Sequence, residues 1–233
     1  MHDEGMKMSR WHLILIGVLM MGLEEVRAQE SGPKVGVVDP LKDGMLPGDT
    51  NALARKAGAA FARRDWKAAR EAYEEMLKVE PVNALAWANL GAVEKQAGNL
   101  NASLECFEQS VRFNPSLVQS WISLGLTYSE RGDMYKALSS LARAVHEDPT
   151  DARAHNYLAI VANKFGWGAT AQAEFEKAIA LKPDYGIAYF NLALTHLDQK
   201  PPAVELARRR YEQAIKLGVE KDEIVERKLK EEP

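Results

Sequence analysis

Small and apolar residues recur along this chain at intervals of three and four, and the pattern itself recurs every 34 residues. The clearest copy starts at Val118. Trp121, Leu124, Gly125 and Tyr128 hold its positions 4, 7, 8 and 11, which share one face of a helix. Ala137, Leu141 and Ala144, at positions 20, 24 and 27, repeat that spacing and predict a second helix. Gly132 and Asp133 lie between the two, where one helix can end and the next begin. Pro149, at position 32, lacks an N–H and biases its predecessor away from helix, so the second helix stops there. Gly125 and Ala137 are expected to face each other, letting two helix axes approach closely while Trp121, Leu124, Tyr128 and Leu141 fill the space around them.

Pro81, Pro115, Pro149 and Pro183 close four such units at a constant spacing of 34 residues. The copy before Val118 carries Trp87, Leu90, Gly91, Gly98, Ser103, Phe107 and Ser110; the copy after it carries His155, Leu158, Ala159, Gly166, Ala171, Phe175 and Ala178. A first copy reads Leu53, Ala57, Ala60, Asp65, Trp66, Ala69, Tyr73 and Met76, with Lys56 at position 7. A fifth begins with Tyr189, Leu192 and Ala193, then needs about two extra residues near Pro201 and Pro202 to align Ala207, Tyr211 and Ala214. Glu94 and His196 stand at position 11, where a large apolar residue is usual. The pattern resembles the tetratricopeptide repeat, a 34-residue helix–turn–helix unit, over roughly residues 50 to 217. The resemblance implies an all-α fold, a right-handed α-solenoid of about five repeats. The repeats fall at 50–83, 84–117, 118–151, 152–185 and 186–219, with residues 220–233 forming a short capping helix and tail. The first copy reads as an N-terminal cap with a polar outer face, and Ile224, Val225 and Leu229 as the C-terminal cover of the last repeat's apolar edge.

Residues 1–28 have a different character. Lys7 and Arg10 precede the apolar run Trp11–Leu23, and Val26-Arg27-Ala28 places small residues before Gln29. This resembles a secretory signal peptide cleaved after Ala28. The run is shorter than the roughly 20 residues that a bilayer-spanning helix needs, so an uncleaved anchor is the alternative. The expected location is the periplasm or the exterior, with membrane contact only through the uncleaved N-terminal segment. Residues 29–49, rich in Gly and Pro without helical period, read as a flexible linker.

Composition narrows the function. The chain has 46% hydrophobic and 27% charged residues and a net charge of −3 with both signs interspersed. No basic stripe is present, which argues against nucleic acid as a partner. Cys106 is the single cysteine, so no internal disulfide can form, and it reads as an inert packed thiol. His2, His12, His146, His155 and His196 are scattered without metal-ligand spacing, and there is no phosphate-binding glycine loop or nucleophile motif. Neither an enzyme nor a metal or cofactor is expected. An array of like units offers a long surface instead.

The resemblance implies that first helices line the concave side, with positions 2, 5, 6, 9, 12 and 13 facing the groove. Ile122, Leu126, Ile160, Phe190 and Leu194 would then form an apolar strip bordered by Asn89, Asn156, Asn163 and Asn191. Asparagine both donates and accepts hydrogen bonds and so can read a peptide backbone. These nine residues are the candidate partner-binding site, for a protein or peptide. The same strip also reads as inter-helix core. The carboxylate clamp of chaperone co-factors is excluded, because Ala54, Gly58, Gln119 and Ser123 replace its polar residues and only Asn89 fits. A second reading is a self-associating scaffold subunit of a cell-envelope complex, a homo-oligomer. In it Trp167 serves as a contact, or else as a lid over its own turn.

Overall fold

The structure, a computed structural model, describes residues 48–230. The expected signal peptide and all but the last two residues of the expected linker lie outside that range. Eleven helices and no strands are found among the described residues. They run α1 (Gly48–Ala62), α2 (Trp66–Val79), α3 (Ala84–Gln96), α4 (Leu100–Phe113), α5 (Val118–Arg131), α6 (Met134–Glu147), α7 (Ala152–Lys164), α8 (Gly168–Leu181), α9 (Gly186–Leu197), α10 (Val204–Lys216) and α11 (Glu223–Lys228). The first ten form five hairpins. Within each the two helices pack together, the second helix packs on the first helix of the next hairpin, and α3, α5, α7 and α9 touch in succession. This is the packing of a tetratricopeptide-repeat solenoid.

The prolines act as expected. Glu80, Asn114, Asp148 and Lys182, each just before one of the periodic prolines, leave the helical region for φ −127° to −140° and ψ 76° to 94°. Their carbonyl partners add a contact that the sequence pattern did not announce. The indole N–H of Trp87 donates to Pro81 O at 2.8 Å, and that of Trp121 to Pro115 O at 2.7 Å. In the next hairpin His155 Nε2 lies 3.0 Å from Pro149 O, while its Nδ1 lies 2.6 Å from Glu174 Oε2. A ring nitrogen thus ties the first helices of these three hairpins to the proline turn before each. Trp121 is half-buried at the rim of its cluster, not the interior filler that its spacing suggested.

The close approach is where the small residues placed it. A Cβ at Gly125 would lie 2.6 Å from Leu141 Cγ and 3.2 Å from Ala137 O; one at Gly91 would lie 2.9 Å from the Phe107 ring. Leu104, Phe107, Leu124, Tyr128, Ala137 and Leu141 form the middle of the core, and Ala57, Ala60, Ala69, Ala72, Tyr73 and Met76 its first part. Cys106 belongs to that first cluster, and burial pushes its thiol up to about 12. Lys56 is exposed, consistent with a polar outer face on α1. At the other end Asp222 caps α11, accepting from Ile224 N and Val225 N at 2.9 Å each. Val225 and Leu229 are buried, and Arg208 donates to Leu229 O at 2.6 Å.

Two departures from the repeat pattern have physical explanations. Glu94, in a place usually apolar, is buried and accepts from Arg70 Nη2 at 2.8 Å and Asn99 Nδ2 at 2.8 Å. Hydrogen bonds from the Arg70 guanidinium outweigh burial and hold its carboxyl below the ordinary carboxylate range. The other concerns the turn inside each hairpin. Gly98, Gly132 and Gly166 sit at φ 84°, 91° and 76°, and 34 residues earlier Arg64 takes the same left-handed conformation at φ 59°.

Three outcomes follow. Arg64→Gly raises stability by about 1 kcal/mol, read as a higher denaturation midpoint at unchanged slope. Gly125→Ala lowers it by about 1–3 kcal/mol, because Leu141 must move. A carboxyl with a depressed folded pKa stabilises above its unfolded value and loses that contribution as pH falls through the folded one. Glu94→Gln therefore costs roughly 2 kcal/mol at neutral pH, and the deficit against wild type shrinks as pH is lowered below about 4. A constant deficit down to pH 3 counts against the Arg70 pairing.

Candidate functional site

The candidate residues lie on α3, α5, α7 and α9, the first helices of four successive hairpins. These helices are buried on more than one side: every residue from Phe190 to Leu197 is buried. Of the nine residues named from sequence, Asn89, Ile122, Leu126, Asn156, Ile160, Phe190, Asn191 and Leu194 are each no more than 6% exposed, and Asn163 is half-buried. The strip therefore offers little open surface to a partner. Phe190 has a partner within its own hairpin: its ring packs on that of Tyr211 in α10, with centroids 6.1 Å apart.

The structure brings Asn156 and Asn191 together. Asn191 Nδ2 donates to Asn156 Oδ1 at 3.2 Å, which leaves Asn156 Nδ2 and Asn191 Oδ1 buried with no hydrogen-bond partner. The pair thus keeps one donor and one acceptor unsatisfied in the interior. Each such atom costs about 1–3 kcal/mol of uncompensated desolvation. The backbone of α9 is locally braced, since Thr195 Oγ1 donates to Asn191 O at 2.9 Å.

Asn156 and Asn191 are 35 residues apart, and two further pairs on the same helices share that offset. Lys95 Nζ lies 3.3 Å from Glu130 Oε2, and Lys164 Nζ donates to Ser129 Oγ at 3.2 Å. Both pairs join position 12 of one repeat to position 13 of the next. The sequence signal for them was the 34-residue period plus one, which a reading of each repeat in isolation misses. Burial holds both ammonium groups below the ordinary lysine value; Glu130 offsets this for Lys95, and nothing comparable does so for Lys164.

The remaining candidate chemistry is engaged in packing. His196 is buried in the place of the usual apolar residue, with Gln199 Nε2 3.3 Å from its Nδ1, and burial lowers its imidazolium's stability. Among the described residues no group of three or more His, Cys, Asp or Glu side chains could hold a metal ion. No helix among them is long and apolar enough to cross a membrane.

Comparison with known proteins gives the fold its context. The chain resembles the solved structure of the MamA protein at 23% identity and TM-score 0.64, covering 72% of this chain and 91% of that one. It resembles YrrB, a tetratricopeptide-repeat protein with an unusual peptide-binding site, at 19% identity and TM-score 0.61, covering 76% of this chain and 91% of that one. PilF of Pseudomonas aeruginosa matches at 18% identity and TM-score 0.66, covering 74% of this chain and 78% of that one. No curated protein matches. Models of the tetratricopeptide repeat match residues 55–118 and 118–151, so the middle of this chain is built of tetratricopeptide repeats, within a helical array that has the fold of proteins made from them.

Proposed function

We propose that this chain is a non-catalytic interaction module that takes a partner peptide or protein segment on the face formed by α3, α5, α7 and α9. The observation that carries this reading is the Asn156–Asn191 pair. Its spare donor and spare acceptor match the C=O and N–H that one residue of an extended segment presents on the same side of its backbone. Ile160, Phe190 and Leu194 on the same helices supply apolar surface for side chains once the strip opens. The repeat architecture and the likeness to a peptide-binding protein point the same way. Residues 1–28 are read as the export signal that delivers the array to the periplasm or the exterior.

A double variant separates a binding role from a packing role. Asn156→Leu with Asn191→Leu removes two unsatisfied buried groups and one hydrogen bond between them. If the pair exists for a partner, denaturant unfolding shows the variant at least as stable as wild type, by about 1 kcal/mol. The same variant then loses binding to decapeptides selected on wild type from a random library. Selected peptides that bind both proteins equally well refute the site.

A second reading, self-association, rests on a separate surface. Tyr135 is 78% exposed and Trp167 is 47% exposed. Their rings flank that of Phe165 at centroid distances of 5.1 Å and 5.0 Å, the latter pair stacked at 22°. Trp167 thus covers Phe165 and still presents an aromatic edge. If this patch joins copies, light scattering gives a mass that rises with concentration for wild type and stays monomeric for Tyr135→Ser with Trp167→Ser. A monomer for both at every concentration removes this reading.

A further inference from the structure

The offset of 35 residues sets up a comparison between two neighbouring steps of the same face. At the step from α3 to α5 the cation of Lys95 meets the carboxylate of Glu130 at 3.3 Å. At the step from α5 to α7 the cation of Lys164 meets the Ser129 hydroxyl at 3.2 Å. The step is built alike, a position 12 side chain beside a position 13 side chain, but the second one contains no anion. Ser129 is buried and Lys164 half-buried, so the ammonium has given up part of its water. No carboxylate among the described residues pairs with it, in contrast to Arg70, Lys95, Arg131, Arg143 and Arg153, which all have one. A partly desolvated ammonium beside a hydroxyl is strongly biased toward an anionic acceptor, because charge-assisted hydrogen bonds strengthen as water is excluded.

We propose that Lys164 and Ser129 form an anion-accepting subsite of the partner-binding face, and that a carboxylate of the bound segment gives Lys164 the counter-ion that Glu130 gives Lys95 one step earlier. The proposal rests on the reading of that face as a peptide site and specifies which peptides it takes: apolar segments carrying a carboxylate. The carboxylate belongs either to an Asp or Glu side chain or to the segment's C-terminus, which offer the same chemistry. The subsite differs from the carboxylate clamp excluded above, since it uses positions 12 and 13 of adjacent repeats.

The test titrates the isotope-labelled full chain with four capped peptides and follows them by NMR. They are acetyl-Leu-Leu-Asp-amide, its Asn counterpart, and acetyl-Leu-Leu-Leu with either a free or an amidated C-terminus. The methyl groups of Leu126 and Ile160 report on the apolar face, and the side-chain signals of Lys164 report on the subsite. The expected result is a preference of about tenfold for one or both carboxylate peptides over their neutral counterparts, and the arm that shows it assigns the source. Lys164→Gln abolishes that preference while the neutral peptides still shift Leu126 and Ile160. Lys67→Gln, a change of the same charge on the exposed surface of α2, leaves it intact. Should Lys164→Gln fail to fold, Ser129→Glu serves instead: it supplies an internal carboxylate and also erases the preference. If the methyl groups respond equally to all four peptides in wild type, the subsite is refuted and the peptide-binding face stands. If no peptide shifts the methyl groups, the face itself is refuted and the subsite with it.

Discussion

Everything in this array depends on how closely two helices approach within one hairpin. At Gly91 and Gly125 the first helix gives up its side chain altogether, and Phe107 and Leu141 from the second helix occupy the vacated space. Any added carbon there falls inside van der Waals contact. In the other hairpins Ala57, Ala159 and Ala193 hold the same position with no exposed surface. That spacing brings the ring at position 4 back over the proline turn, which is why Trp87, Trp121 and His155 each reach a proline carbonyl six residues earlier. The hairpin angle and the stacking of the next hairpin are thus set by the same contact.

Stacking at a fixed offset then converts sequence period into neighbour relations. Residues 35 apart on the first helices meet side by side, and three polar pairs exploit this: Lys95 with Glu130, Ser129 with Lys164, and Asn156 with Asn191. The first is complete in charge. The second lacks an anion, and the third lacks one acceptor and one donor. Moving along the array, the face goes from internally satisfied to internally unsatisfied. Buried polar groups in folded proteins are almost always paired; of the three buried side-chain atoms without a hydrogen-bond partner among the described residues, the Tyr73 hydroxyl lies on α2 and the two asparagine atoms share this face.

The architecture was legible from sequence because its signals are local and repeated: small residues at positions 8 and 20, and a proline at 32 that no helix interior tolerates. The exceptions were less legible, since each depends on a partner from another helix. Glu94 looked like a defect until Arg70 and Asn99 closed around it. Arg64 in a left-handed turn is visible only when its place is compared with Gly98, Gly132 and Gly166. Periodicity gave the candidate strip a direction around each helix axis. Periodicity does not give cover, and the burial of Ile122, Leu126 and Leu194 came only with the fold. Phe190 shows the same limit, because its neighbour Tyr211 follows the irregular turn of the fifth hairpin between Leu197 and Val204.

Burial and unsatisfied polarity pull against each other on this face, and the conflict bears on mechanism. Leucine at positions 156 and 191 would offer similar bulk without the desolvation cost, so packing alone does not account for two asparagines. Opening an apolar strip costs about 25 cal/mol for each Å² exposed. A partner that covers the strip again returns that free energy, and one that also pairs with the free amide atoms gains what the closed state lacks. An apolar segment with no backbone group in reach recovers only the first part. On the proposed reading, the face would discriminate by the backbone presented at one step and by charge at the adjacent step, where Ser129 leaves Lys164 without a counter-ion. Two neighbouring recognition elements one repeat apart are what a segment laid along stacked first helices would meet, and what a compact pocket in a single domain would not supply.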